Sequence, residues 1–468
     1  MARKLRRRKK AHRRTIRNSE KAAPRGNTGQ PPLEGEDKLL LIYKTVDHFF
    51  PFLGEWLDRI HDPRDPHLIT YPLRALMWSI VLMFFFHLPA RRRLRYDFNS
   101  PHALDNYNLL TNCELVTLPH PDTPIYPLGK KKLSPDGPDR VRVQMARSLL
   151  RGKVLTAFRL FKRDYFVAMD ATGIVAASNR HCPHCLHGKD AKGRTYYYHM
   201  VLEAKLVCSN GLVMSLATEF IQNTDGETMQ DCELKAFYRL LPRLHRIFPQ
   251  LPMCLLLDSI YLNQNVLRLL RQHHLHYITT FKEGSLPLAF GEFETLHSLV
   301  PHQSLERTTK EGHWRYRWVS GLVHEEEKFN GFECVEALSS GEHHRFLWAT
   351  NLHVNPVTVE ELAKGGRLRW KIENEGFRTQ KHGGYQLEHV YVKDWNAAIH
   401  FYILLQIAHL LMQLVQIGSL LPAPAQKLYG SFLQLARELL EAWRTAYIEK
   451  PALELILARR CRISLRGP

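Results

Sequence analysis

Apolar residues recur at two different periods along this chain, and the change of period divides it. From Lys38 to about Leu160 they return every three to four positions, as in Leu39, Leu40, Tyr43, Val46, Phe49 and Phe50, the signature of helices that bury one face. Asp62-Pro63-Arg64-Asp65-Pro66 interrupts this stretch, and a second helix starts near Pro72. The run Leu73 to Leu88 contains Arg74 and falls short of the roughly 20 residues that span a bilayer, so it predicts a buried helix.

At Tyr165 the pattern shortens. Tyr165 to Met169 and Met253 to Leu257 are apolar runs ending in Asp170 and Asp258, and Tyr196 to Val207 and Leu212 to Ile221 read as two strands joined at Cys208-Ser209-Asn210-Gly211. Cys232 to Ile247 and Leu262 to His273 have helical periodicity, and Tyr277 to Phe281 is strand-like. Three strands, then helix, strand, helix and strand, is the order of a ribonuclease-H-like α/β core. Between Phe290 and Leu352 period two returns, most clearly at His313 to Val319 and Arg345 to Thr350, which predicts a β-rich insertion. A helix from about Val359 carries Glu373, an apolar helix runs from Asn396 to about Ile417, and Gln426 to Ala458 is helical. The expected division is a basic tail over 1–36, a helical N-terminal domain over 37–160, the core over 161–288 and 353–420, the insertion over 289–352, and a helical C-terminal segment over 421–468.

Charge adds a partner to this picture. The 468 residues carry a formal net charge of +19, and residues 1–25 hold 12 Lys or Arg against the single Glu20. Such a head has too little apolar surface to repay the entropy of ordering and reads as a solvated arm. Lys and Arg displacing counterions make a polyanion, above all double-stranded DNA, the expected partner. No secretory signal pattern follows the charged start, which predicts a cytoplasmic, nucleoid-associated protein with no membrane partner. Eight cysteines with one closely spaced pair do not make a disulfide scaffold.

The candidate chemistry sits at the strand ends. A carboxylate closing an apolar strand is costly unless a cation or donor meets it, and the chain does this at both Asp170 and Asp258. If those strands are neighbours, both acids emerge together, and a divalent ion is their natural counter-charge. Oxygen ligands suit Mg²⁺ or Mn²⁺, and two such ions about 4 Å apart support in-line displacement at a phosphodiester. Glu373, one turn after Arg369, is the candidate third ligand. Taken singly, each acid is as well explained by a cap or an ion pair; their order in a basic chain is what points to a metal centre. Glu375 lies about 200° round a helix from Glu373, so both cannot serve the same ions.

These residues resemble the DDE transposases of bacterial insertion sequences, in particular the cut-and-paste group with a tyrosine, arginine, glutamate and lysine signature. The resemblance rests on Arg369-Trp370-Lys371-Ile372-Glu373-Asn374-Glu375-Gly376-Phe377, with Asp170-Ala171-Thr172-Gly173 and Asp258-Ser259-Ile260-Tyr261 as the first two acid motifs. Asp225-Gly226, Gln230-Asp231-Cys232-Glu233 and Pro119-His120-Pro121-Asp122-Thr123 also match features of one subgroup. The signature tyrosine falls at Gly366 and the lysine at Gln380, with Lys381 one place later. The resemblance implies a ribonuclease-H-like core, Asp170, Asp258 and Glu373 as Mg²⁺ ligands, and Arg369 and Lys381 as phosphate contacts. It further implies nicking at element ends, strand transfer to target DNA by the freed 3′-hydroxyl, and a homodimer in the synaptic complex. A nuclease or resolvase with the same core, cutting without joining, and a domesticated DNA-binding protein without catalysis are the competing readings.

His181-Cys182-Pro183-His184-Cys185-Leu186-His187 could seed a structural Zn²⁺ site, but one Cys-x-x-Cys supplies only two of four ligands. His187, His199, Cys208 or Cys232 would have to complete it, and Cys232 is the preferred distant ligand. The alternative is a polar hairpin loop with reduced thiols. Trp314, Tyr316 and Trp318, alternating with Arg315 and Arg317, are a DNA-contact candidate for which sheet packing is the simpler account.

Overall fold

The computed structural model describes residues 33–131, 133–180, 182–223, 230–299, 303–459 and 461–467. Most of the expected basic tail, His181 and the Asp225-Gly226 pair lie outside the described residues. Six strands form the first half of the sheet: β1 (Tyr165–Ala177), β2 (Leu186–Lys189), β3 (Thr195–Val207), β4 (Val213–Ile221), β5 (Met253–Leu257) and β6 (His276–Thr280). β3 runs antiparallel to β1 and to β4, whereas β5 and β6 continue the sheet in parallel on the other side of β1. The spatial order β4-β3-β1-β5-β6 is that of a ribonuclease-H-like core. The helices Glu233–Ile247 and Gln264–Gln272 make the crossovers that parallel strands require.

The remaining strands are β7 (Ser304–Thr309), β8 (Gly312–His324), β9 (Glu327–Leu338) and β10 (His343–Thr350). They form an antiparallel meander that pairs with β6 through β10, Trp348 opposite Thr280, and so extends the core sheet to ten strands. Tyr316 and Trp318 are buried in this extension, which accounts for them as packing residues. One correction concerns its start. Residues expected to continue the period-two pattern from Phe290 instead lie in a helix, Pro287–Leu299, because Phe290 and Phe293, three positions apart, both pack on Phe281.

Alternation along β1 and β5 separates two faces. Val167, Met169, Leu255 and Leu257 enter the larger apolar core, while Phe166, Ala168, Cys254 and Leu256 enter a second core. Helix Val359–Arg367 and the segment Ile372–Arg378 contribute Val359, Leu362, Ile372 and Phe377 to that second core. Even-numbered residues of both strands therefore face the helix that leads to Glu373.

The helical N-terminal and C-terminal regions share one core with the sheet. Helix Leu73–Phe85 packs against Trp395–Ile417, and Gly35–Phe49 packs against Phe432–Thr445. Trp443 sits among Phe86 and Phe98, at 5.4 and 6.0 Å between ring centres, and Asn106 donates to the Trp443 and Ala446 carbonyls at 3.0 and 2.8 Å. Helix Trp395–Ile417 is long and apolar enough to cross a membrane, yet 89% of its most apolar stretch is buried within the protein. Lys205 reaches this helix from β3: its ammonium donates to Gln406 at 2.8 Å and lies over the Phe377 ring, and burial pulls its pKa down to about 8.

Candidate active site

The ladder between β1 and β5 sets the geometry of the two aspartates. Tyr165 lies opposite Met253, and the pairing continues without a shift to Ala168 opposite Leu256. Two residues beyond that last pair come Asp170, still within β1, and Asp258, just past the end of β5. Both acids therefore follow closely on a pair of parallel neighbours, where the two strands part. The strand does not end at Asp170, as its apolar run suggested. It continues to Ala177 against β3, and what ends there is its pairing with β5, which opens the sheet beside Asp170.

Asp170 is mostly buried, and its carboxyl is pushed up to about 7. Burial is the main cause, and the carboxylates of Glu233 and Glu373 add to it, while Arg369 opposes it from 3.7 Å. Asp258 is more open: its nearest cation is Lys282, at 3.7 Å. Both acids also act on the phenol of Tyr261, which burial and Glu233 raise far above its ordinary value.

Glu373 does not lie on an uninterrupted α-helix. Helix Val359–Arg367 ends in a turn at Leu368 and Arg369, and the chain then winds as a π-helix, Ile372–Arg378, which buries Ile372 and Phe377 and leaves Glu373 exposed on the Asp170 side. Wide π turns are frequent at functional sites because they re-aim a side chain without ending the helix. Glu375 points elsewhere, accepting from Lys371 at 2.7 Å and approaching Gly211 in the β3–β4 turn.

The departures from the family signature have physical causes. A Cβ on Gly366 would lie 2.6 Å from the Trp348 indole nitrogen, and one on Gly365 would lie 2.6 Å from the Phe166 ring, so neither position admits a side chain without displacing the sheet. Gln380 is fully buried and donates to Gln406 and His409 at 2.8 and 2.9 Å. Lys381 is paired with Glu388 at 3.0 Å.

Sequence reasoning did not single out Glu233 as a site residue. It opens helix Glu233–Ile247, accepts from the Tyr261 hydroxyl at 2.6 Å, and is raised by burial and by the charge of Asp258. Its place in Gln230-Asp231-Cys232-Glu233 was the available signal. Beside Asp258 opens a cavity of about 430 Å³ bordered by Lys282, Arg345, Arg367, Arg369, Phe346 and Trp370. Arg345 and Arg367 are paired with Glu333 and Glu336, Lys282 with Asp258, and Arg369 stacks over the half-exposed Trp370 ring at 4.5 Å; Lys282, at 60%, is the most exposed of these cations.

Of the three candidate zinc ligands, the structure brings Cys182 and Cys185 together and leaves Cys232 out. Cys232 is exposed at the N-cap of helix Glu233–Ile247, and His199 is the third member of the cluster.

A family model described as "Transposase DDE domain" matches residues 162–411. No curated protein matches the chain. Among solved structures, the chain is similar to a piggyBac transposase in a cryo-EM synaptic complex with hairpin DNA. The two are 9% identical over 91% of this chain and 85% of that chain, with a TM-score of 0.37, and at that distance nothing about the site follows from the likeness.

Proposed function

The chain belongs to the transposase DDE domain family, and from that premise we propose that it cuts double-stranded DNA at the ends of a mobile element and joins the freed 3′-ends to target DNA. Asp170, Asp258 and Glu373 carry the chemistry. The observation that supports this most is that Asp170 and Asp258 each follow by two residues the last pair of the parallel β1–β5 ladder, with Glu373 near enough to act on the Asp170 carboxyl.

The donor set is of the chemical type that a hard divalent ion takes, though among the described residues its oxygens do not all lie within 4.8 Å of one another. Its members are carboxylates alone, and Asp170 is held at a pKa of about 7 by burial and neighbouring acids, the position of a group short of positive charge. Asp170, Asp258 and Glu373 would hold Mg²⁺ or Mn²⁺, which when bound supplies activation of the attacking oxygen and charge stabilisation of the leaving one. Arg369 keeps Asp170 aligned, and Lys282 and Trp370 offer the entering strand a cation and a stacking surface. Lys381 would contact a phosphate by exchanging its Glu388 partner for it. Two ends processed together fit a homodimer. Incubating the protein with a plasmid that carries its own element's ends, with Mg²⁺ and then with EDTA, tests the reading: joined products are expected with Mg²⁺ and none with EDTA. Cleavage without joining would replace this reading with a nuclease, and DNA binding with neither would leave a DNA-binding protein.

Metal affinity should depend on pH with a definite sign. Since Asp170 is protonated below about 7, an ion entering there displaces a proton. Affinity for Mn²⁺ is expected to fall by up to about tenfold for each pH unit below that point. Calorimetry in buffers of different ionisation enthalpy would register the released proton, and Asp170→Asn should abolish the release. For the metal-free protein, the raised pKa means that the Asp170 contribution to stability is fully present below the unfolded value of about 3.9 and is lost as pH rises through about 7. The Tm of the ion-free protein should therefore decline across that interval. A pH-independent Mn²⁺ affinity would show that Asp170 is not a ligand.

A further inference from the structure

Cys182, Cys185 and His199 converge. The two sulfurs are 3.5 Å apart, and the His199 Nε2 lies 3.3 Å from one and 3.6 Å from the other. A tetrahedral zinc with bonds of about 2.3 Å to sulfur and 2.05 Å to nitrogen would set its donors about 3.8 Å (S to S) and 3.6 Å (S to N) apart. The observed triangle matches one face of that tetrahedron to within about 0.3 Å. A disulfide would need the sulfurs at about 2.05 Å, and neither cysteine is in one.

The triangle is built from two segments, the turn before β2 and strand β3. Leu186 pairs with Tyr198 across the β2–β3 hairpin, so the register brings Cys185 opposite His199. Arg180 fixes the knuckle by donating to the Cys182 and Pro183 carbonyls at 3.2 and 2.8 Å. The His199 ring stacks on Trp395 at 3.8 Å between centres, which sets its plane. Cys185 and His199 are almost fully buried, and Cys182 is partly buried. Two thiols and an imidazole whose donor atoms all lie within 4.8 Å of one another are a set that a soft divalent ion would hold.

We propose that Cys182, Cys185 and His199 bind one Zn²⁺ per chain, at a site separate from the acidic centre, with one coordination position left for a fourth donor. Its consequence is mechanical. The Asn223 side chain donates to the Cys185 carbonyl at 3.0 Å and accepts from the Asp231 amide at 3.1 Å, two residues before Glu233. Trp395, on the other side of His199, donates to Gln222 at 2.8 Å and opens helix Trp395–Ile417. One ion thereby ties the hairpin, the start of the Glu233 helix and the long core helix together.

Elemental analysis of the full chain, expressed with zinc and gel-filtered, should give one zinc per chain. Cys182→Ser, Cys185→Ser and His199→Ala should each drop it to background, while Cys232→Ser and Asp258→Asn should keep it. Should a variant fail to fold, the wild-type chain still decides the matter. With zinc bound, Cys182 and Cys185 should resist alkylation and should become reactive when a chromophoric chelator withdraws the metal, and Co²⁺ replacement should produce thiolate charge-transfer absorption. Substoichiometric zinc with both thiols equally reactive before and after chelation would overturn the site, as would recovery of Cys182 and Cys185 as a disulfide from protein kept under reductant.

Discussion

Asp258→Ala is expected to reduce strand cleavage by on the order of a thousandfold or more, with salt-sensitive DNA binding and the unfolding temperature close to those of the parent. The magnitude follows from the several kcal/mol that metal-assisted charge stabilisation contributes, at about 1.4 kcal/mol per factor of ten. The small stability effect follows from the site. The Asp258 side chain is 36% exposed, and Lys282, paired with it at 3.7 Å, is itself 60% exposed, a pairing worth at most about 1 kcal/mol. Asp164, near the start of β1, makes the useful contrast. It is buried, paired with Arg163 and His276 at 2.9 Å each, and pushed below the ordinary carboxylate range by them, so Asp164→Ala should damage folding and activity together. A gel assay of plasmid nicking beside a thermal melt separates the two behaviours. Undiminished cleavage by the Asp258 variant would remove this acid from the mechanism.

That contrast also marks what was legible in the chain. An aspartate closing an apolar run marks the end of the strand at Asp258 and the end of the β5 pairing at Asp170, and the runs Met253–Leu257 and Trp395–Ile417 are uniform enough to declare themselves. Features that depend on pairing across the sheet were hidden. β2 is four residues, Leu-His-Gly-Lys, with no apolar alternation, and only its register against β3 sets His199 opposite Cys185. Cys232, exposed at a helix cap, was accordingly preferred to His199 among the candidates for a distant ligand. Glu203 was silent for a similar reason: it is buried in β3 and held by Ser215 and Thr218 of β4, a network no local pattern encodes. The π-helix around Glu373 was hidden too, because its residues fit ordinary α-helical spacing, and only the docking of Ile372 and Phe377 into the second core shows the wider winding.

Restoring the family tyrosine should fail for a reason the structure makes explicit. Gly366→Tyr is expected to abolish folding or to lower the unfolding temperature severely, and even Gly366→Ala should destabilise, although alanine favours a helix over glycine by about 1 kcal/mol. The added Cβ would stand 2.6 Å from Trp348 Nε1 and 2.7 Å from Cε2. That indole cannot yield cheaply, since it stacks on Phe332 and Phe346 at 5.2 and 5.7 Å between ring centres and belongs to β10, the strand that joins the meander to the core. Overpacking a filled core costs about 1 to 3 kcal/mol for small additions, and a tyrosine exceeds any small addition. The adjacent Gly365, pressed on Phe166 of β1, prevents the helix from lifting away as a unit. Because the same helix leads into the turn carrying Arg369 and then Glu373, any displacement that accommodates a side chain at 366 should also lower cleavage. A double-mutant cycle checks the mechanism. If the clash is with Trp348, Gly366→Ala should cost markedly less in a Trp348→Ala background, where a cavity awaits the new methyl group. Equal costs in the two backgrounds would mean that the glycine is required for some reason other than the closeness of this helix to the sheet.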